Sequence, residues 1–273
     1  MGNSKEIENP GSRFTQVLDV AAKLPGVRID RTAYLRAALK RHCSEEQIER
    51  AVAESPAAAG VPLKVITAAA NDSIVYETAK ASALSAAAGI PGGFAMIGTV
   101  PADLAQYFGH VLRIAQKLAY IYSWPDLFDG DEDGFDDATE GILTLFVGVM
   151  FGVQLAQSSV VNVSAMIAGQ VLKKLPQKAL TQGAIYPVVK TVAAYLGVSM
   201  TKQLFAGGVA KLIPVVGAVL SGGLTLATFL PMSKRLQKHL ATLELTKPGL
   251  RTDSDEIIDA VVIDDVPEDE LAT

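Results

Sequence analysis

Apolar positions recur at helical spacing almost from the start of this chain. Phe14, Val17, Leu18, Ala21 and Leu24 fall three and four residues apart, and Pro25-Gly26 stops the helix they predict. A second helix is predicted over 31–42. A third starts at Ser44, where Ser44 and Gln47 stand in capping-box positions, and runs to Glu54. Pro56 and the Ala-Gly-Val-Pro of 59–62 break the chain. From Pro62 to Ala88 the sequence is Ala-rich and helical, with Asp72, Glu77 and Lys80 as its charges.

The stretch from Gly89 to Trp124 carries the densest pattern. It opens on an uncharged, glycine-rich segment. Pro101 then stands where a helix takes its first turn, with Thr99 in a capping position upstream. Leu104, Tyr107, Phe108, Val111, Leu112, Ile114, Leu118 and Ile121 make that helix mostly apolar. Asp103, Gln106, His110, Arg113 and Lys117 recur at three- and four-residue steps, so they line up on one face. A polar stripe on such a helix requires polar neighbours, water or lipid head groups.

Three runs lack charge altogether: Ala81–Ala102 over 22 residues, Gly141–Leu172 over 32, and Leu212–Leu230 over 19. A spanning helix needs about 20 apolar residues. The first run is broken by Gly89, Pro91, Gly92 and Gly93. The second carries Gln154, Gln157, Ser158, Ser159 and Asn162 and reads as two helices meeting near 157–162. The third contains Pro214 and Gly222-Gly223. Such pieces are either core helices of a bundle or hairpins dipping into one leaflet, since both demand the same residues. After Pro231 an amphipathic helix is predicted near 232–245, with Met232, Leu236, Leu240 and Leu243 on one face. Its other face carries Lys234, Arg235, Lys238 and His239, a pattern that suits a membrane interface or the surface of a bundle. The expected fold is therefore all-α: a single bundle of eight to ten helices over 12–247, with glycine-rich apolar hairpins at its centre. Residues 1–11 form a polar lead and 248–273 an acidic tail, both expected to lack order.

Composition sharpens this picture. Of 273 residues 49% are hydrophobic and 19% charged, more apolar than an ordinary domain. The single cysteine, Cys43, excludes an intrachain disulfide and fits a reducing compartment. The polar opening MGNSKEIENPG predicts no secretory signal, and Glu6 stands where a myristoylation pattern needs Ser or Thr. The net charge is −5, yet residues 126–140 hold eight acids and 252–273 hold nine, with no base in either. The remainder of the chain is basic and suits an anionic membrane surface or lipid. Aromatics interleaved with basic residues are missing, which speaks against nucleic acid.

Several motifs carry a resemblance. They are the GIPGG turn at 89–93, the helix start Val100-Pro101-Ala102-Asp103-Leu104, the run YIYSWPDLF at 120–128 and LTLFVGVMFGV at 143–153. KLIPVVGAVLSGGLT at 211–225 and Phe229-Leu230-Pro231-Met232 complete the set. Over residues 45–245 the chain resembles the EcsC family of bacterial proteins. The resemblance implies an all-helical protein linked to ABC-transporter operons or membrane contexts, with a membrane-protein partner in view. It supplies no catalytic residues.

Reactive constellations are sparse. Asp129-Gly130-Asp131-Glu132-Asp133-Gly134-Phe135-Asp136-Asp137-Ala138-Thr139-Glu140 fits a twelve-residue calcium loop. Asp129, Asp131, Asp133, Asp137 and Glu140 would supply oxygens to Ca2+, with the Phe135 carbonyl. Against it stand Asp136 at a usually aliphatic position, Pro125 before the loop and the lack of a second loop. The alternative is a solvated loop in which Asp136 or Asp137 caps the next helix. Asp103 and His110 share a face but lack further metal ligands, and His42-Cys43 diverge on a helix. Ser199-Met200-Thr201-Lys202 has the spacing of some acyl enzymes without their partner motifs. No phosphate-binding or dinucleotide-binding loop is present.

The chain is thus expected to be non-enzymatic and to need no cofactor, with calcium as a possible addition. It is expected at the cytoplasmic face of a membrane, peripheral or partly inserted. Arg113, Lys117, Lys173, Lys174, Lys234, Arg235 and Lys238 are the expected head-group contacts. The alternative is a soluble helical module that binds a lipid or protein partner in an apolar groove.

Overall fold

The computed structural model describes residues 10–88, 96–97, 100–128, 135–169, 174–210 and 214–247. Three short helices come first: α1 (Pro10–Ala22), α2 (Arg31–Leu39) and α3 (Glu45–Ala53). The long helix α4 (Leu63–Ala88) leads to a two-stranded antiparallel ladder, β1 (Met96–Ile97) with β2 (Val100–Pro101). Helix α5 (Ala102–Ile121) starts directly after Pro101. Then come α6 (Asp137–Phe151), α7 (Gln154–Gly169), the short α8 (Gln177–Thr181), α9 (Tyr186–Ala210) and α10 (Pro214–Leu240), with a 3-10 turn at Glu244–Thr246. The fold is an all-α bundle.

Helix α6 is the core of that bundle. From Ala138 to Met150 every residue but Glu140 is buried, as a helix apolar all round its circumference must be. It packs against α5, α7, α8, α9 and α10. The first part of the long uncharged run 141–172 is therefore protein core. The break in that run lies at Gly152-Val153 rather than near 157–162. Gly152 adopts φ 84°, a left-handed conformation that a glycine adopts without strain, and closes α6 by donating its N–H to the carbonyls of Gly148 and Val149. Gln154, Ser158 and Asn162 do not mark a junction; they are the exposed face of α7. Gly148 permits the close approach of this region. A Cβ there would stand 2.6 Å from both Ala156 Cβ and Val192 Cγ1.

The predicted apolar stripe of α1 is buried at Phe14, Val17, Leu18 and Ala21, and α1 lies on α5 and α9. The helix begins at Pro10, two residues before the expected boundary, and α2 ends at Leu39, short of residue 42. Ser44 caps α3 by accepting the Gln47 N–H, but the Gln47 side chain does not complete the box. It donates to the Ala59 carbonyl instead, because the turn after α3 folds back within reach. Tyr120, Tyr122, Trp124 and Leu127 are fully buried core residues, with Trp124 edge-on to Phe146 at 4.9 Å.

The last helix differs most from expectation. It runs from Pro214 through Pro231 to Leu240 without a break, so the amphipathic segment is its C-terminal third. Proline removes one donor there, and the Ser233 hydroxyl bonds the Phe229 carbonyl in the same turn, at 2.8 Å. Met232, Leu236, Leu240 and Leu243 are buried as the pattern requires. Thr99, the glycine-rich turn 89–93 and the acidic tail lie outside the described residues.

Candidate functional site

The polar stripe of α5 meets one residue of α4. Glu77, with no exposed surface, stands as a lone acid in an Ala-rich turn, and three basic side chains converge on it. His110 Nδ1 lies 3.0 Å from Glu77 Oε2. Arg113 Nε donates to Oε1 at 3.1 Å and to Oε2 at 3.3 Å. Lys117 Nζ donates to Oε1 at 2.6 Å. These donors stand at steps of three and four along α5, so one helix face delivers all of them.

Burial alone pushes the Glu77 carboxyl up. The hydrogen bonds from His110, Arg113 and Lys117, with the nearby Lys117 charge, outweigh it and hold the group down to about 2. A carboxylate so saturated neither gives nor takes a proton at neutral pH. It is an anchor for its cations. The aromatic surroundings reinforce this. The Lys117 ammonium lies 5.1 Å from the centre of the Tyr76 ring and 5.9 Å from that of Tyr34. The Tyr34 hydroxyl pairs with Ser73 at 2.9 Å, and burial pushes its pKa well above the ordinary range.

Next to this cluster Gln116 joins α5 to the segment between α1 and α2. Its Oε1 accepts the Ile29 N–H at 2.8 Å, while Nε2 donates to the Val27 and Leu112 carbonyls. Arg31 does similar work at the end of α3, donating to the carbonyls of Ala51, Val52 and Glu54. These last turn carbonyls have no helical partners, so a guanidinium there is a C-terminal cap. Sequence reasoning named Glu77 only as a charge of the Ala-rich helix, and passed over Gln116 and Arg31. A usable signal existed for Arg31: a cation in the first turn of a helix opposes the helix dipole and implies another purpose.

The expected head-group contacts divide. Arg113 and Lys117 are drawn inward by Glu77, with side chains only 19% and 11% exposed. Lys234 is held by Asn71 and by Gln237, and burial lowers its affinity for a proton. Arg235 donates to the Met150 carbonyl and caps the end of α6. His239 Nε2 reaches the Gln157 carbonyl at 3.2 Å. These basic groups satisfy backbone and amide acceptors of the bundle. Arg235, Lys174 and Lys238 are exposed, and Lys173 lies outside the described residues.

Of the remaining stripe, Gln106 is exposed, while the Asp103 side chain lies outside the described ones. His110 is buried, so the stripe does not form one continuous surface. Asp129, Asp131 and Asp133 of the calcium motif lie outside the described residues. Asp136 accepts the Thr139 N–H at 2.6 Å and caps α6, as the alternative reading of that loop requires. Asp137 is exposed in the first turn, and Glu140 is half-buried beside Thr15, with burial raising its carboxyl. Among the described residues no group of three or more His, Cys, Asp or Glu is placed to hold a metal ion.

No family model matches the chain, and no curated protein or solved structure matches it. The likeness to EcsC proteins rests on the quoted motifs alone.

Proposed function

We propose that this is a non-enzymatic helical protein that lies peripherally on the cytoplasmic face of a membrane, inserting one apolar end of its bundle. The observation that carries the reading is the register of α4 against α10. Lys234 and Gln237 both bond Asn71, and Gln237 also reaches the Thr67 carbonyl. Later residues of α10 thus meet earlier ones of α4, and the two helices run antiparallel. Continued along both helices, this register sets Ala81–Ala88 beside the N-terminal half of α10. Two of the three uncharged runs thereby come together at one end, away from the polar pins. Leu226, 49% exposed, presents apolar surface in that region. Among the described residues no helix is long and apolar enough to cross a membrane. The motif resemblance adds a place beside a membrane transporter.

The test is fractionation of expressing cells, followed by washes with high salt, alkaline carbonate and detergent. Retention through salt and release by carbonate or detergent fit an inserted apolar end. Leu226→Asp, at a position open enough to accept a charge, then reduces vesicle flotation. Protein found wholly in the soluble fraction overturns the reading and favours a soluble module with a bound ligand.

A further inference from the structure

The charges around Glu77 do not balance. Arg113 and Lys117 are two basic side chains facing a single carboxylate, and His110 takes up a third position on it. Lys80 adds a further ammonium 5.6 Å from the centre of the Tyr76 ring, which Lys117 approaches to 5.1 Å. Tyr76 itself is 54% exposed, and the Arg113 and Lys117 side chains keep 19% and 11% of their surface exposed. Asp72, near Tyr34, makes no ion pair with any of them among the described residues.

The way Arg113 is held matters as much as the charge. Its hydrogen bonds to Glu77 both run through Nε. Among the described residues no other group bonds the guanidinium, so Nη1 and Nη2 keep their donors. A Cβ at Gly26 would lie 3.6 Å from Nη1, an ordinary contact distance, so Gly26 borders that edge of the guanidinium without bonding it. A guanidinium fixed through Nε presents its terminal nitrogens as a two-pronged donor, the geometry that suits a phosphate or carboxylate group. Lys117 donates one proton to Glu77 and has two left. Two surplus positive charges call for a dianion, which favours phosphate over carboxylate.

We propose that Arg113, Lys117 and Lys80 form a phosphate-group site on the α4–α5 face, with Glu77 as the buried anchor that fixes the two α5 cations. The site stands independently of membrane attachment. Its phosphate comes either from a free phosphate compound or from a lipid head group, and the two are separable by experiment.

The experiment is calorimetric titration of the full chain in low-salt buffer with two probes, inorganic phosphate and soluble dihexanoyl phosphatidic acid. Binding of inorganic phosphate assigns the site to free phosphate compounds; binding of the phosphatidic acid alone assigns it to head groups. In either case Arg113→Gln and Lys117→Met weaken the interaction about tenfold or more, the loss expected for a charged hydrogen bond. Lys80→Gln, at an exposed position, weakens it severalfold. Should Arg113→Gln fail to fold by circular dichroism, Lys80→Gln decides alone. No binding of either probe overturns the proposal, as does unchanged binding by folded Arg113→Gln or by Lys80→Gln.

Discussion

The Lys117 ammonium sits 2.6 Å from Glu77 Oε1, at a carboxylate with no exposed surface. Breaking such a pair on one side strands the other charge in a partly dry site. Glu77→Leu should therefore cost about 3 kcal/mol or more in urea denaturation. The combined variant Glu77→Leu/Arg113→Leu/Lys117→Met removes the stranded cations as well and should lose less than Glu77→Leu alone. If the combined variant is the weaker of the two, the cluster is not an interdependent charge network.

Acid should reveal the same carboxylate. Its folded value of about 2 lies below the ordinary 4.5. The unfolded chain therefore takes up this proton more readily than the folded one. The stabilisation is complete above pH 4.5 and fades as pH falls towards 2, and it amounts to about 3 kcal/mol. Asp19 and Glu140, both raised by burial, act with the opposite sign. Denaturation midpoints followed from neutral pH downwards should fall across that window in the natural chain. In Glu77→Gln this part of the slope should be absent; an identical slope in both proteins excludes Glu77 as its source.

Two glycines on α6 should respond in opposite ways to alanine. At Gly148 the new Cβ meets Ala156 and Val192 at 2.6 Å, and the neighbours are core atoms with no room to retreat. Gly148→Ala should lower stability by about 1–3 kcal/mol, the usual range for overpacking. At Gly141 the nearest atoms are 3.6 Å away, an ordinary contact. Gly141→Ala should raise stability by up to about 1 kcal/mol through helix propensity alone. Thermal melts of the two variants separate close packing at Gly148 from a general tolerance of alanine in α6.

What was legible in the chain followed from short-range periodicity. The stripe from Phe14 to Ala21 and the face from Met232 to Leu243 needed only a helical repeat, and both are buried where the repeat puts them. The α5 stripe was legible as a face, but its partner was not. Glu77 lies 33 to 40 residues away from its donors, and no local pattern links them. The polar residues of α7 were misread as a junction because exposure on one helix face and a break between helices both call for polar side chains. Gly152 carried the better signal, since a glycine ending an apolar helix supplies the left-handed cap. The segment after Pro231 was read as a helix of its own, whereas Pro231 lies inside α10. Its place within α10 depends on packing around Phe229 and Met232 that only the fold supplies.

Ser123 combines strain with a buried bond. It holds φ at 70°, which residues other than glycine rarely adopt, and its Oγ accepts the Ala57 N–H at 2.9 Å. The bond ties the turn after α5 to the segment between α3 and α4, across 66 residues of sequence. Ser123→Ala keeps the strain and leaves a buried N–H unpaired, a loss of about 1–3 kcal/mol. Ser123→Gly loses the same bond but relieves the backbone, which returns about 1 kcal/mol. The expected order of melting temperatures is therefore serine highest, glycine next and alanine lowest. Alanine melting with the natural chain would mean that the Ala57 bond contributes nothing. Glycine melting above it would mean that strain at Ser123 outweighs the bond it serves.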